Sequence, residues 1–146
     1  MVQRPTVPTS GIRPGEVILY PYRWAREAVA DRSAEGSKER PCGVVVAAVA
    51  ATGRTHLLLV AISSKAPQAD QEAIMLPEIE RRRAGLDLHR EAWIYVSEAN
   101  EDVEGGSLYL TSEPAIGAIS KAFLERVKAA LLQRLTRRLG AVVNRT

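Results

Sequence analysis

Cysteine occurs once in this chain, at position 42, which excludes an internal disulfide and any metal site built from several cysteines. A lone thiol fits a reducing compartment. Histidine occurs twice, as His56 and His89, and both read as solvated loop residues. Aromatic residues make up 5% of the chain, so aliphatic side chains and alanine must fill most of the core. No stretch is long and uncharged enough to cross a bilayer. The opening MVQRPTVPTSGIRPGE lacks the apolar region of a secretory leader. Together these absences predict a cytoplasmic chain with no membrane partner. A strong charge excess is missing too: the formal net charge is +3, compatible with a polyanionic partner without demanding one.

What is present is the balance of an ordinary globular domain, with 146 residues, 46% of them hydrophobic and 25% charged. That length buries a core without staples. Basic residues cluster in 23–40, 81–83 and 121–138. Prolines and glycines punctuate the start, so residues 1–14 read as a flexible arm ahead of a folded unit over 15–140. EVILYPY (16–22) is a β-rich run closed by Pro21. Residues 23–40 form a long polar connection, of the kind that is functional or disordered. Residues 42–50 are a continuous apolar run whose two faces should both be covered. ATGRT is a turn, and 56–63 is the returning strand of a hairpin. Residues 71–76 read as a strand, PEIERRRAG as a short helix between Pro77 and Gly85, and 92–98 as another strand. NEDVEGG reads as a loop and SLYL (107–110) as a short edge strand. From Glu113 onward Ile116, Ile119, Phe123, Val127, Leu131 and Leu135 recur at steps of three and four, which predicts an amphipathic helix capped by Ser112 and ended before Gly140. Short meandering strands have to hide their edges, and a small bent barrel with a helix laid on it does so.

The succession GEVILYPY, ERPCGVVVA, LLVAISS, IMLP, AWIYVSEAN and a closing helix resembles the PemK/MazF family of toxins. The likeness covers roughly residues 15–135. It implies a mainly β, SH3-like (PemK/MazF-like) small barrel with a C-terminal helix, usually a two-fold homodimer. It implies metal-independent cleavage of single-stranded RNA, no cofactor, and a cognate antitoxin whose tail covers the RNA site.

Metal-free RNA cleavage uses the 2′-OH as nucleophile. A group must take its proton, a cation must hold the phosphate oxygens, and an acid must protonate the leaving oxygen. A planar guanidinium suits the second task. Arg40 matches the family's arginine in "RP", with Pro41 fixing the backbone beside it; the plain alternative is a surface arginine at a strand end. Ser63 falls at the family's Thr/Ser position, where a hydroxyl donates to phosphate; it and Ser64 equally suit an ordinary strand end. Glu98 matches the acid of some family members and would serve as base if its pKa were raised. It would otherwise be a strand-end carboxylate paired with a basic residue. Lys38, Ser64, Trp24 and Asn100 complete the expected substrate contacts, Asn100 by reading a base edge. Trp24 and Tyr22 would either stack on bases or fold back on the barrel. Arg81–Arg83 offset a helix dipole or touch RNA backbone. Trp93 is expected in the core or an interface, and Cys42 in the core. Two departures stand out. Val96 occupies the place of a family arginine, and the 23–40 loop has no histidine. They keep open a second reading, a barrel that binds RNA or a protein tail without cleaving.

Overall fold

The structure, a computed structural model, describes residues 11–30, 38–111, 113–137 and 140–146. The arm over 1–10, residues 31–37 of the polar connection and the expected cap Ser112 lie outside the described residues. The elements run β1 (Glu16–Tyr20), α1 (Ala25–Ala30), β2 (Arg40–Val49), β3 (Thr55–Ser63), β4 (Ala73–Met75), α2 (Glu78–Arg83), β5 (Trp93–Tyr95), β6 (Glu98–Val103), β7 (Gly117–Ala118), α3 (Lys121–Thr136) and β8 (Ala141–Asn144). The protein is mainly β, with eight strands in one sheet and a helix near the C-terminus.

β3 is the hub of the sheet. It pairs with β2 along one edge, and its other edge is divided between β6, opposite His56–Leu59, and β5, opposite Ile62 and Ser63. A bulge in β2 between Val44 and Val46 bends the hairpin. All the pairings are antiparallel except that of β6 with β8. Among the described residues the outer strands β4, β7 and β8 do not pair with one another.

Strand alternation splits the core between the two faces of the sheet. Leu57, Leu59 and Ala61 of β3 join Tyr20, Tyr22, Trp24, Cys42 and Val44 on one face. Val60 and Ile62 join Val17, Val45, Ile94 and Val96 on the other, beneath Phe123, Leu124, Val127 and Leu131 of α3. The apolar run is thus covered on both faces over Cys42–Val45 but not over its whole length, since beyond the bulge Ala48 and Val49 are exposed. Cys42 is fully buried, and burial pushes its thiol pKa up.

Four expectations are corrected. The segment 92–98 is not one strand. The chain bends at Val96–Ser97, so that β5 pairs with the end of β3 and β6 with its start. NEDV is therefore strand rather than loop. SLYL forms no strand, because the Ser107 hydroxyl accepts from the backbone N–H groups of Tyr109 and Leu110 and draws the segment into a local turn. The terminal helix starts at Lys121 rather than after Glu113, since Gly117 and Ala118 are held on β1. Gly117 lies so close to the Arg83 and Ala84 backbone that a Cβ there would collide with it. The six-residue helix α1 inside the expected connection and the four-residue β8 beyond Gly140 were not anticipated.

Ser120 caps α3. Its hydroxyl accepts from Phe123 N–H at 3.2 Å and donates to the Glu80 carboxylate at 2.6 Å. Glu80 also accepts from Ser120 N–H at 2.9 Å, which ties α3 to α2. Ser120→Ala removes the cap and one donor to a buried carboxylate. It should lower stability by about 1–3 kcal/mol in urea titrations. A change within about 0.5 kcal/mol would show that this junction is not what seats α3.

Candidate functional site

The site is assembled from β6 outward. Glu98, Asn100 and Asp102 alternate along this strand and so face the same side. All three are buried. Asp102 accepts from the Tyr20 hydroxyl at 2.6 Å. The Asn100 amide accepts from Arg23 N–H at 2.9 Å and donates to Arg23 C=O at 2.8 Å. One Glu98 oxygen accepts from Ala25 N–H at 2.8 Å and from the Tyr22 hydroxyl at 3.2 Å. The stretch from Tyr20 to Ala25 is thereby fastened to β6. Arg145, after β8, braces the arrangement by donating to Pro21 C=O at 2.7 Å and to Asn100 at 3.3 Å.

Ala25 opens α1, so Glu98 supplies from another strand the acceptor that a cap residue normally provides. Glu27 returns the favour locally, accepting from Trp24 N–H at 3.2 Å while its own N–H reaches Trp24 C=O at 3.0 Å. This reciprocal pair is a capping box without the usual serine.

Fastening this segment fixes Trp24. Its ring meets Tyr22 and Tyr95 edge-on, each with centroids 5.1 Å apart. Only 8% of Trp24 is exposed. Two guanidinium groups lie against the same indole, Arg40 at 5.4 Å and Arg26 at 5.7 Å from the ring centroid. Arg40 opens β2 opposite Tyr20, with Pro41 opposite Leu19.

These side chains border a groove of about 430 Å³. The structure brings Lys38, Arg40, Ser63, Ser64 and Trp24 together there, joined by Arg26, Lys65, Gln68, Gln71, Tyr95 and Glu27. Ser63 ends β3, and its hydroxyl accepts from Lys65 N–H at 3.1 Å, forming a turn that carries the lysine to the rim. Four cations face one carboxylate, so the groove suits an anion. A larger hollow of about 560 Å³ beside β1 is lined, among the described residues, by Glu16, Glu39 and Glu113 and by no basic residue, which suits a polyanion poorly.

Two of the expected site residues do not line this groove. Glu98 borders an adjoining depression of about 250 Å³, with Ser97 and Arg134, and the two hollows share Arg26 and Gln71. Burial raises the Glu98 pKa from the ordinary carboxylate value, and the bonds from Ala25 N–H and the Tyr22 hydroxyl oppose that rise. Its carboxylate is engaged in holding α1. Asn100 has no exposed surface, and its amide is bound to Arg23 and Arg145, so it is placed to read no base. Trp24 is positioned to carry guanidiniums rather than to stack on a base. Val96 is wholly buried in the core beneath α3.

The remaining marked residues play local parts. Arg81 donates to Leu76 C=O, and Arg82 and Arg83 pair with Glu78 and Glu80. His56 lies within β3 and contacts Glu101 at 3.4 Å. His89 sits in a turn, and Trp93 is half-buried on β5. Among the described residues there is no group of three His, Cys, Asp or Glu side chains able to hold a metal, and no helix long and apolar enough to cross a membrane.

Sequence reasoning missed Arg26, Lys65 and Glu27. Arg26 had one signal, its place two residues after Trp24. No family model matches the chain, and no curated protein is returned as a relative.

Because the folded-state pKa of Glu98 lies above its unfolded value, the folded protein holds that proton to higher pH. Stability is unaffected below the unfolded pKa and falls as pH rises through the raised one. Glu98→Gln keeps an oxygen for Ala25 N–H and the Tyr22 hydroxyl but removes the charge. Wild type should therefore lose stability relative to Glu98→Gln as pH rises above the ordinary carboxylate range, measured by urea titration at each pH. A gap that stays constant or moves the other way would contradict the burial of an ionisable carboxyl here.

Proposed function

We propose that this chain is a ribonuclease toxin of the PemK/MazF type: a small SH3-like barrel, dimeric and cytoplasmic, held in check by a cognate antitoxin. The observation that carries the reading is convergence. Lys38, Arg40, Ser63, Ser64 and Trp24 come from separate parts of the chain and border one basic groove. A single strand of RNA is the polyanion that such a groove accommodates.

In this reading Arg40 holds the phosphate oxygens as charge builds on them, and its position against Trp24 fixes the guanidinium before substrate arrives. Ser63 and Ser64 offer hydroxyls to the phosphate or to the 2′-OH. Lys38 and Lys65 extend the positive field along the strand. Glu98 is withdrawn from proton transfer, because its carboxylate already caps α1. Glu27 borders the groove and takes the place of Glu98 as the base: among the described residues Oε1 accepts a single donor, Trp24 N–H, and Oε2 is the atom that takes the proton. One observation favours the second reading, a barrel that binds RNA without cutting it. Val96 is buried where the resemblance places an arginine, so the position has no access to a substrate.

The two readings part in one assay. Purified protein incubated with single-stranded RNA in EDTA should release defined fragments. Arg40→Ala should lower the rate about 10²- to 10³-fold, the range found when a transition-state donor is removed. Ser63→Ala should lower it less. Tight binding without fragments would establish the binding reading. Neither binding nor fragments would overturn both.

A further inference from the structure

Arg26 and Arg40 are an electrostatic anomaly. Two guanidiniums of like charge share one indole, at 5.7 and 5.4 Å from its centroid, inside a groove that also carries Lys38 and Lys65. Among the described residues neither arginine is in an ion pair, and the Arg40 Nε is buried without a hydrogen-bond partner. The single carboxylate on the groove among the described residues, Glu27, turns one oxygen to the Trp24 backbone. Arginine commonly meets an anion through a planar fork of donors, and two forks held against one indole offer each of two neighbouring phosphates its own partner.

Arg26 also sits at a junction. It borders both the groove holding Arg40 and Ser63 and the adjoining depression, where Arg134 stands with Gln71 and Ser97 beside the carboxylates of Asp70 and Glu98. A strand whose reacting phosphate lies at Arg40 would meet Arg26 at the next phosphate along.

We infer that Arg26 is a second phosphate-binding residue, gripping the phosphodiester adjacent to the one held by Arg40 and guiding the strand toward the neighbouring depression. The inference rests on the ribonuclease reading and adds to it a residue and a direction for the strand. Trp24 is then the positioning residue for both guanidiniums. Because Arg26 is exposed, its replacement leaves the fold intact.

The experiment is binding of a fluorescent single-stranded 2′-O-methyl RNA, which carries no nucleophile and stays whole, across a range of salt concentrations. Each phosphate contact to a single strand adds about 0.7 to the slope of log affinity against log salt. Arg26→Ala should bind about 5- to 20-fold more weakly at low salt and flatten the slope by about 0.7–1, with an unchanged thermal midpoint. Arg26→Lys should keep the slope while losing part of the affinity, since the charge stays and the fork is lost. On cleavable RNA, Arg26→Ala should act mainly on KM and Arg40→Ala mainly on kcat. Wild-type affinity and slope in Arg26→Ala would overturn the assignment of Arg26 and leave the ribonuclease reading standing. Failure of the wild type to bind the RNA at any salt concentration would overturn that reading, and this inference with it.

Discussion

On β6 the side chains of Glu98, Asn100 and Asp102 face one way, and each takes a donor from the last residue of β1 or from the stretch that follows it. All three are buried, so each would be costly without its partner. The segment from Tyr20 to Ala25 is equally dependent: the backbone of Arg23 and the first N–H of α1 find their partners on that strand. Such a network is all-or-none, because satisfying part of it leaves buried polar atoms exposed to the same penalty. It converts a stretch with no regular pairing of its own into a fixed element. Arg145 adds a cation to the same cluster and lies 4.1 Å from the Tyr109 ring centroid, which brings the end of the chain into the arrangement.

The groove inherits its geometry from that fixation. Trp24 comes out of the clamped segment, is squared up by Tyr22 and Tyr95, and offers its face to Arg26 and Arg40. One arginine belongs to a short helix and the other to the first residue of a long strand, so only the folded protein places them together. The glutamate that the family resemblance marks for the site is the one that seats the helix. A single carboxylate cannot both accept two buried donors and work as a mobile proton acceptor. That trade explains why Glu98 stands near the groove without bordering it.

Much of the scaffold was legible because its signals are local. The apolar run of β2, the Gly53 turn and β3 announce a hairpin, and Pro77 and Gly85 bracket α2. The stripe Phe123, Val127, Leu131 marks α3, although Ser120, not Ser112, begins it. β6 was not legible. EANEDV is polar, and it is buried only because its partners in the Tyr20–Ala25 segment lie 73 to 82 residues away in sequence. The same reason hid α1, whose cap is contributed by Glu98. In the site, Arg40 and Ser63 could be marked because they flank strands in a recognisable order. Asn100 was marked on the same grounds and serves the fold instead, since burial is decided by tertiary contacts that its neighbours in sequence do not reveal. Arg26 resembles any solvated arginine until the indole beneath it is seen.

The clamp on the Tyr20–Ala25 segment is tested most directly by amide hydrogen exchange, residue by residue, in the unmodified protein. The account predicts that the amides of Arg23 and Ala25, which belong to no strand, exchange as slowly as those of β1 and β2, because they donate to Asn100 and Glu98. Exchange at the rate of an exposed loop would show that β6 does not hold this segment, and the placement of Trp24 and its two arginines would lose its cause.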